Sequence, residues 1–239
     1  MMGPGAQPPG RKEKGGLDPV SEMLSTRARA AVELAPLSGR GRDLDEAAMV
    51  AARAFHHDPF FEFLDPRGVT RARGLALFFR STIAAAAGRA TITGARRPDG
   101  RLVGVSVVIP PGGYPLAVPG QARELLGAGR AMILRPRGLI RGARYLFAIE
   151  SAHMKDPHWY LLLLVVDPSA QRSGIGGRLQ QDMLARADDD GLNCYLETQK
   201  EENVPYYRRF GYEVERELRP VAGGPPLYTM RRAPHTEQR

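Results

Sequence analysis

From Asp43 onward the apolar positions of this chain switch repeatedly between helical and extended spacing. Leu44, Ala47, Ala48, Ala51 and Phe55 recur at intervals of three and four, which predicts one buried helical face. Asp43 with Glu46 three residues on reads as a capping box at its start, and Asp58-Pro59 as its stop. Leu75, Phe78, Phe79 and Ile83 predict a second helix over about 70–88. Residues 90–95 and 101–109 read as a hairpin around Pro98-Asp99-Gly100, whose residues favour a turn. A loop over 110–120 and helical segments near 121–134 and 138–154 follow. Then comes the most apolar run, Trp159 to Val166, the pattern of a short strand buried on both faces. Asp167-Pro168 stops it. Beyond Gly174 the helical face Ile175, Leu179, Met183, Ala187 runs to Gly191. Residues 193–198 read as the next strand, Pro205 suits the first turn of a short helix ending at Gly211, and strands over 212–219 and 227–232 close the pattern.

Between the central strand and its helix lies Gln171-Arg172-Ser173-Gly174-Ile175-Gly176-Gly177. Glycines let backbone N–H groups approach a ligand without Cβ atoms in the way, and a helix N-terminus favours phosphate. Arg172 and Arg178 add positive charge there. Three phosphate cradles are conceivable. A P-loop needs G-x-x-x-x-G-K-[ST], which does not occur in the chain. A dinucleotide fingerprint needs G-x-G-x-x-G directly after the strand with an acid about 20 residues on. Gly174, Gly176 and Glu197 fit that spacing, but Leu179 holds the third glycine position and the glycines start late after Val166. The third cradle is a coenzyme A loop, [QR]-x-x-G-x-[GA] at a strand–loop–helix junction. Gln171-Arg172-Ser173-Gly174-Ile175-Gly176 matches it in context.

On these residues the chain resembles the GNAT N-acetyltransferases, and in particular their puromycin-acetyltransferase-like branch. His158-Trp159-Tyr160-Leu161, the run from Asn203 to Tyr212, Pro226 to Met230 and the run from Ala54 to Phe61 carry the likeness, over roughly 41–233. The resemblance implies an α/β fold with a central, mostly antiparallel twisted sheet flanked by helices, here with a helical insertion before the central strand. It implies acetyl-CoA as co-substrate, held by Val165, Val166, Gln171, Arg172, Ser173, Gly174, Ile175, Gly176, Gly177, Asn203 and Tyr207. A primary amine of a small molecule is the expected acceptor, with direct transfer in a ternary complex. Transfer to protein amines and non-catalytic sensing of acyl-CoA are the competing readings.

Composition narrows the class. At 239 residues and 43% hydrophobic the chain suits one domain, expected over 41–235 with a coenzyme core at about 158–212. Residues 1–40, rich in Gly, Pro and Arg, read as a flexible tail with room for a short helix at 21–34. There is no apolar run of membrane length and no secretory pattern at the start. The single Cys194 excludes an internal disulfide framework and fits a reducing cytoplasm. The net charge of +8 invites a nucleic-acid reading, but the arginines are dispersed and a polyanionic coenzyme accounts for basicity. A monomer or homodimer is expected. His56-His57 lack partners at zinc spacing, so no metal is assigned.

Acetyl transfer to an amine needs a neutral nucleophile, a base and an acid for the departing thiolate. Tyr207 matches the family's Y-x-x-x-G-[FY] tyrosine and takes the acid role by resemblance, with Asn203 near it for the pantetheine arm. The base stays open. Glu150 and His153 are expected to share a helix face, Glu197 to end the strand beside the cleft, and His158 to stand at the central strand's entrance. A water-relayed base is a further option.

Overall fold

A computed structural model of the chain describes residues 31–66, 68, 71–114 and 136–235. These residues build a seven-stranded sheet flanked by helices on both faces. The strands are β1 (Glu33–Pro36), β2 (Thr91–Arg96), β3 (Leu102–Ile109), β4 (His158–Val166), β5 (Asn193–Thr198), β6 (Glu213–Leu218) and β7 (Leu227–Arg232), in the order β1-β2-β3-β4-β5-β7-β6. Every neighbouring pair is antiparallel except β4 with β5. The helices are α1 (Gly41–Ala54), α2 (Pro59–Leu64), α3 (Arg71–Ala86), α4 (Pro136–Ala152), α5 (Ile175–Asp190) and α6 (Asn203–Arg208).

The two predicted amphipathic faces form one core. Leu44, Ala47, Ala48 and Ala51 of α1 and Leu75, Phe79 and Ile83 of α3 bury against Ile92, Val105, Val107, Leu163 and Val165 of the sheet. Phe55 stacks on Phe79 at 4.9 Å between ring centres. The other face takes α5, whose Ile175, Leu179, Met183 and Ala187 pack on Val103, Trp159 and Leu161. β3 is buried throughout its length, because helices cover both of its faces.

Three expectations change. Within the tail expected over 1–40, Glu33–Pro36 pairs with Thr93–Arg96 as an edge strand, and Val32 and Leu37 are buried. Four residues ending in proline make a weak strand signal, and an edge position tolerates the missing N–H. The last residues of the expected 21–34 helix are therefore strand; residues 1–30 and the helix expected at 121–134 lie outside the described residues. The capping box at Asp43 does not form either. α1 starts at Gly41, and Asp43 instead accepts the Ser38 N–H at 3.0 Å while Arg96 bridges Asp43 (3.1 Å) and Glu46 (2.6 Å). Tertiary ion pairs from β2 took the carboxylates that the local motif would have used. Finally, Asp58-Pro59 ends one helix only to start another: Asp58 Oδ1 accepts the Phe60 N–H at 3.0 Å, with Pro59 in the first turn of α2.

Asp167, where β4 ends, is the anchor of the following loop. Its side chain is nearly buried; its Oδ2 takes the Arg53 guanidinium at 2.7 Å and its Oδ1 the Ser169 hydroxyl and N–H at 2.7 and 3.0 Å. Burial works against ionisation, but Ser169 and Arg53 outweigh it and hold the carboxyl at about 2. A lowered carboxylate pKa means stability that is complete above the unfolded value near 4 and is lost as pH falls through about 2. Asp167→Asn is expected to cost about 2 kcal/mol at neutral pH. Its unfolding midpoint, followed by circular dichroism, should lack the wild type's fall between pH 4 and 2.

Candidate active site

The parallel pair is the unusual feature of the sheet. β4 and β5 are in register only at His158–Asn193, Trp159–Cys194 and Tyr160–Tyr195. Past that point β4 runs on for six residues to Val166 and β5 for three to Thr198, with no pairing between them. The strands splay into a V whose apex is Tyr160–Tyr195. The β5-facing backbone edge of residues 161–166 spans about 20 Å at strand rise and is open to an extended ligand. A register shift opposite Val107/Val108 marks a bulge in β4 at the same place, so Leu161 and Leu164 both face α5.

The glycine-rich loop sits at the open end of the V. Arg172 has φ 59°, the one positive φ outside glycine among the described residues, and Gly174 has φ 83°. Such alternation aims successive N–H groups toward one concavity. Ala170 anchors the loop from below in the α5 core, Ser173 Oγ donates to Ala170 O at 2.6 Å, and Gln171 Nε2 donates to Val166 O at 3.2 Å. Gly174 caps α5 without a side chain, so the first-turn amides keep no internal partner from a cap. Arg172 and Arg178 are exposed beside them. This cradle offers backbone donors and positive charge that suit a pyrophosphate, and the open β4 edge beside it suits an extended arm such as that of coenzyme A. Val165 turns its side chain into the α1/α3 core and Val166 toward α5, leaving only their backbone for a ligand.

Gly176 has a second reason to be glycine. A Cβ there would lie 2.7 Å from the Tyr206 hydroxyl, and one at Gly177 would lie 3.2 Å from the Phe210 ring. Tyr206 of α6 and Phe210 just beyond it thus rest on the first turn of α5. Gly176→Asp is expected to displace Tyr206 and put a negative charge beside the cradle. Titration calorimetry should show acetyl-CoA affinity down at least about tenfold, 1.4 kcal/mol.

The two faces of the V carry different chemistry. On the α5 face, Tyr207 is buried with Trp159, Leu161, Leu196 and Tyr212. Burial raises its pKa well above the ordinary phenol value, so it stays protonated, and its hydroxyl has no side-chain partner among the described residues. Asn203, one turn earlier, donates from Nδ2 to Thr198 Oγ1 at 3.0 Å and so ties α6 to the end of β5.

On the opposite face the alternation of β4 and β5 presents His158, Tyr160, Tyr195 and Glu197. His153 joins them from just past α4. Its Nδ1 lies 3.1 Å from Glu197 Oε1, with the two side chains 4% and 6% exposed. The imidazole is enclosed by Tyr114 (stacked, 3.9 Å), Tyr160 (4.8 Å), Tyr195 (4.9 Å) and His158 (5.0 Å). Burial first, and then Glu197, push the phenols of Tyr160 and Tyr195 far up, so both stay protonated, and the Tyr195 hydroxyl donates to the Ala152 carbonyl at 3.3 Å. Glu150 is exposed and accepts the Tyr114 hydroxyl.

Of the base candidates, then, the fold joins His153 to Glu197 across 44 residues of sequence. It does not put Glu150 and His153 on one helix face, because α4 ends at Ala152. Glu150 reaches the histidine only through Tyr114. Tyr114, Tyr160 and Tyr195 were missed from sequence; for the two strand residues a signal existed, since Tyr160 lies two positions after His158 and Tyr195 two before Glu197. Among the described residues no cluster of His, Cys, Asp or Glu has the arrangement of a metal site, and no helix is long and apolar enough to cross a membrane.

Residues 99–212 match the model of the acetyltransferase (GNAT) family. Solved structures share the fold. One is described as histone acetyltransferase HPA2 and related acetyltransferase, from Corynebacterium glutamicum. It has TM-score 0.63 at 24% identity, covering 87% of this chain and 99% of its own. The PaiA N-acetyltransferase of Thermoplasma acidophilum, solved with coenzyme A, has TM-score 0.51 at 14% identity, covering 85% and 99%. An arylalkylamine N-acetyltransferase of Aedes aegypti has TM-score 0.50 at 12% identity, covering 85% and 99%.

Proposed function

We propose, from the premise that this chain belongs to the GNAT family of acetyl-CoA-dependent N-acetyltransferases, that its acceptor is a primary amine of a small molecule. The observation that carries this reading is the His153–Glu197 pair on one face of the V, opposite Tyr207 on the other. Glu197 accepts the Nδ1 proton and fixes the tautomer, which leaves the His153 Nε2 lone pair as the base. The amine nitrogen attacks the thioester carbonyl carbon, and the N–C bond forms as the C–S bond breaks. The nitrogen becomes acidic on bonding, so an imidazole suffices to take its proton. Tyr207 gives its hydroxyl proton to the departing thiolate, and the proton taken up by His153 returns to the phenol through solvent as the products leave, so the enzyme ends as it began. The products are the acetamide and the coenzyme thiol.

A small acceptor is favoured because His153 is enclosed by four rings, which a slender alkylamine reaches more readily than a folded protein surface does. The fully buried Cys194 suits a reducing compartment, and we assign the cytoplasm. The test is turnover of acetyl-CoA, followed as free thiol, with alkylamines, arylalkylamines, amine antibiotics and lysine peptides. Peptides outrunning every small amine, or tight acetyl-CoA binding with no turnover, would refute the reading.

A further inference from the structure

His158 has no part in the mechanism above, yet it is 8% exposed, and its Nε2, like that of His153, is buried without a partner among the described residues. Its Nδ1 lies 2.7 Å from the Asp156 carbonyl oxygen. A carbonyl only accepts, so Nδ1 carries the proton and Nε2 presents a lone pair. His153 Nδ1 likewise donates to the Glu197 carboxylate, and as the base of the proposed function it presents its Nε2 lone pair. Two unsatisfied acceptors therefore stand in one cluster of rings, with ring centres 5.0 Å apart. Buried acceptors left unpaired are costly, so such a pair points to a ligand that brings donors. One nitrogen donating to both would span roughly 5–6 Å from acceptor to acceptor.

We propose that His158 is a specificity-determining residue that receives the second N–H of the attacking amine and thereby selects primary amines. This rests on the amine acceptor of the proposed function. When the nitrogen lone pair points at the carbonyl carbon, a primary amine has two N–H bonds left. One donates to His153 Nε2, which takes the proton as the amide forms; the other donates to His158 Nε2, which takes none. A secondary amine or an alcohol has only one, and leaves an imidazole nitrogen bare at the moment of attack. That unpaired acceptor corresponds to a discrimination of about tenfold or more. His158 is held in place for this task by the Asp156 carbonyl and by the β4–β5 register, which sets it beside Asn193 at the closed end of the V. Burial lowers its pKa, so it stays a neutral acceptor.

The experiment compares hexylamine with N-methylhexylamine as acceptors for the wild type, His158→Phe and His158→Gln. The wild type should favour hexylamine by at least tenfold in kcat/KM. His158→Phe should raise the hexylamine KM about tenfold, bring the ratio near one, and leave kcat within a few-fold and the KM for acetyl-CoA unchanged. His158→Gln, which restores an acceptor, should recover most of the preference. An unchanged ratio in the folded Phe variant overturns the assignment. So does a collapse of kcat with a flattened pH profile, which would make His158 the base. No turnover of either amine, when other primary amines are acetylated, overturns the assignment alone; no turnover of any amine overturns the parent reading as well.

Discussion

His153→Phe is expected to lower kcat for the best amine acceptor by about 10² to 10⁴ while the KM for acetyl-CoA stays within a few-fold. Phenylalanine keeps a flat ring for the stack on Tyr114 and the edge contacts with Tyr160 and Tyr195, so the fold should survive. It removes both imidazole nitrogens. Glu197 then loses the His153 N–H, so some loss of stability is expected beside the loss of activity. The pH profile separates a base from a structural ring. A kcat/KM profile of the wild type against pH should carry a limb that is gone from the variant. Glu197→Gln supplies a second check: an amide at that position no longer demands a proton on Nδ1, so activity should fall with the histidine still present. A variant with full kcat and an unaltered profile would move the base to water.

Tyr207→Phe should lower kcat by about 10² and at most 10⁴, with little change in stability or in acetyl-CoA binding. The ring packs among Leu196, Trp159 and Tyr212, contacts that phenylalanine reproduces. The hydroxyl has no side-chain partner to lose among the described residues, so its removal leaves no orphan group behind. Burial holds the phenol protonated through the working pH range, which makes it a donor and never a base. A coenzyme thiol, like a cysteine, titrates near 8.5, so its anion departs moderately well unaided and the loss should be bounded. Acceptors with more basic amines should not rescue the variant, because the defect lies with the leaving group. Single-turnover measurements would locate the loss in the chemical step. A fall of several kcal/mol in stability with kcat intact would show that the hydroxyl serves packing.

Much of the fold was legible because its signals are local. The helical faces of α1, α3 and α5 and the apolar run of β4 are written in residues within four positions of one another. The glycine loop was equally plain: strand end, Asp167-Pro168, glycines and helix start follow in twelve residues, and a cradle of backbone amides needs only that order. What stayed illegible is what depends on distant partners. β1 is four residues with a proline, and it exists because β2 offers it an edge. Asp43 and Glu46 spell a capping box, but Arg96 reaches them from fifty residues away and wins them with charge. The base shows the difference most clearly. His153 and Glu197 each read alone as one candidate among several. Only the parallel register of β4 with β5, together with α4 stopping at Ala152, brings an imidazole and a carboxylate into buried contact. A strand pattern determines which side of the sheet a residue faces, and so the sequence itself decided that Tyr195 and Glu197 look one way and Leu196 the other. Which residues meet them there is set by tertiary packing, because contact between segments 44 residues apart depends on chain reversal and registry that no local spacing encodes.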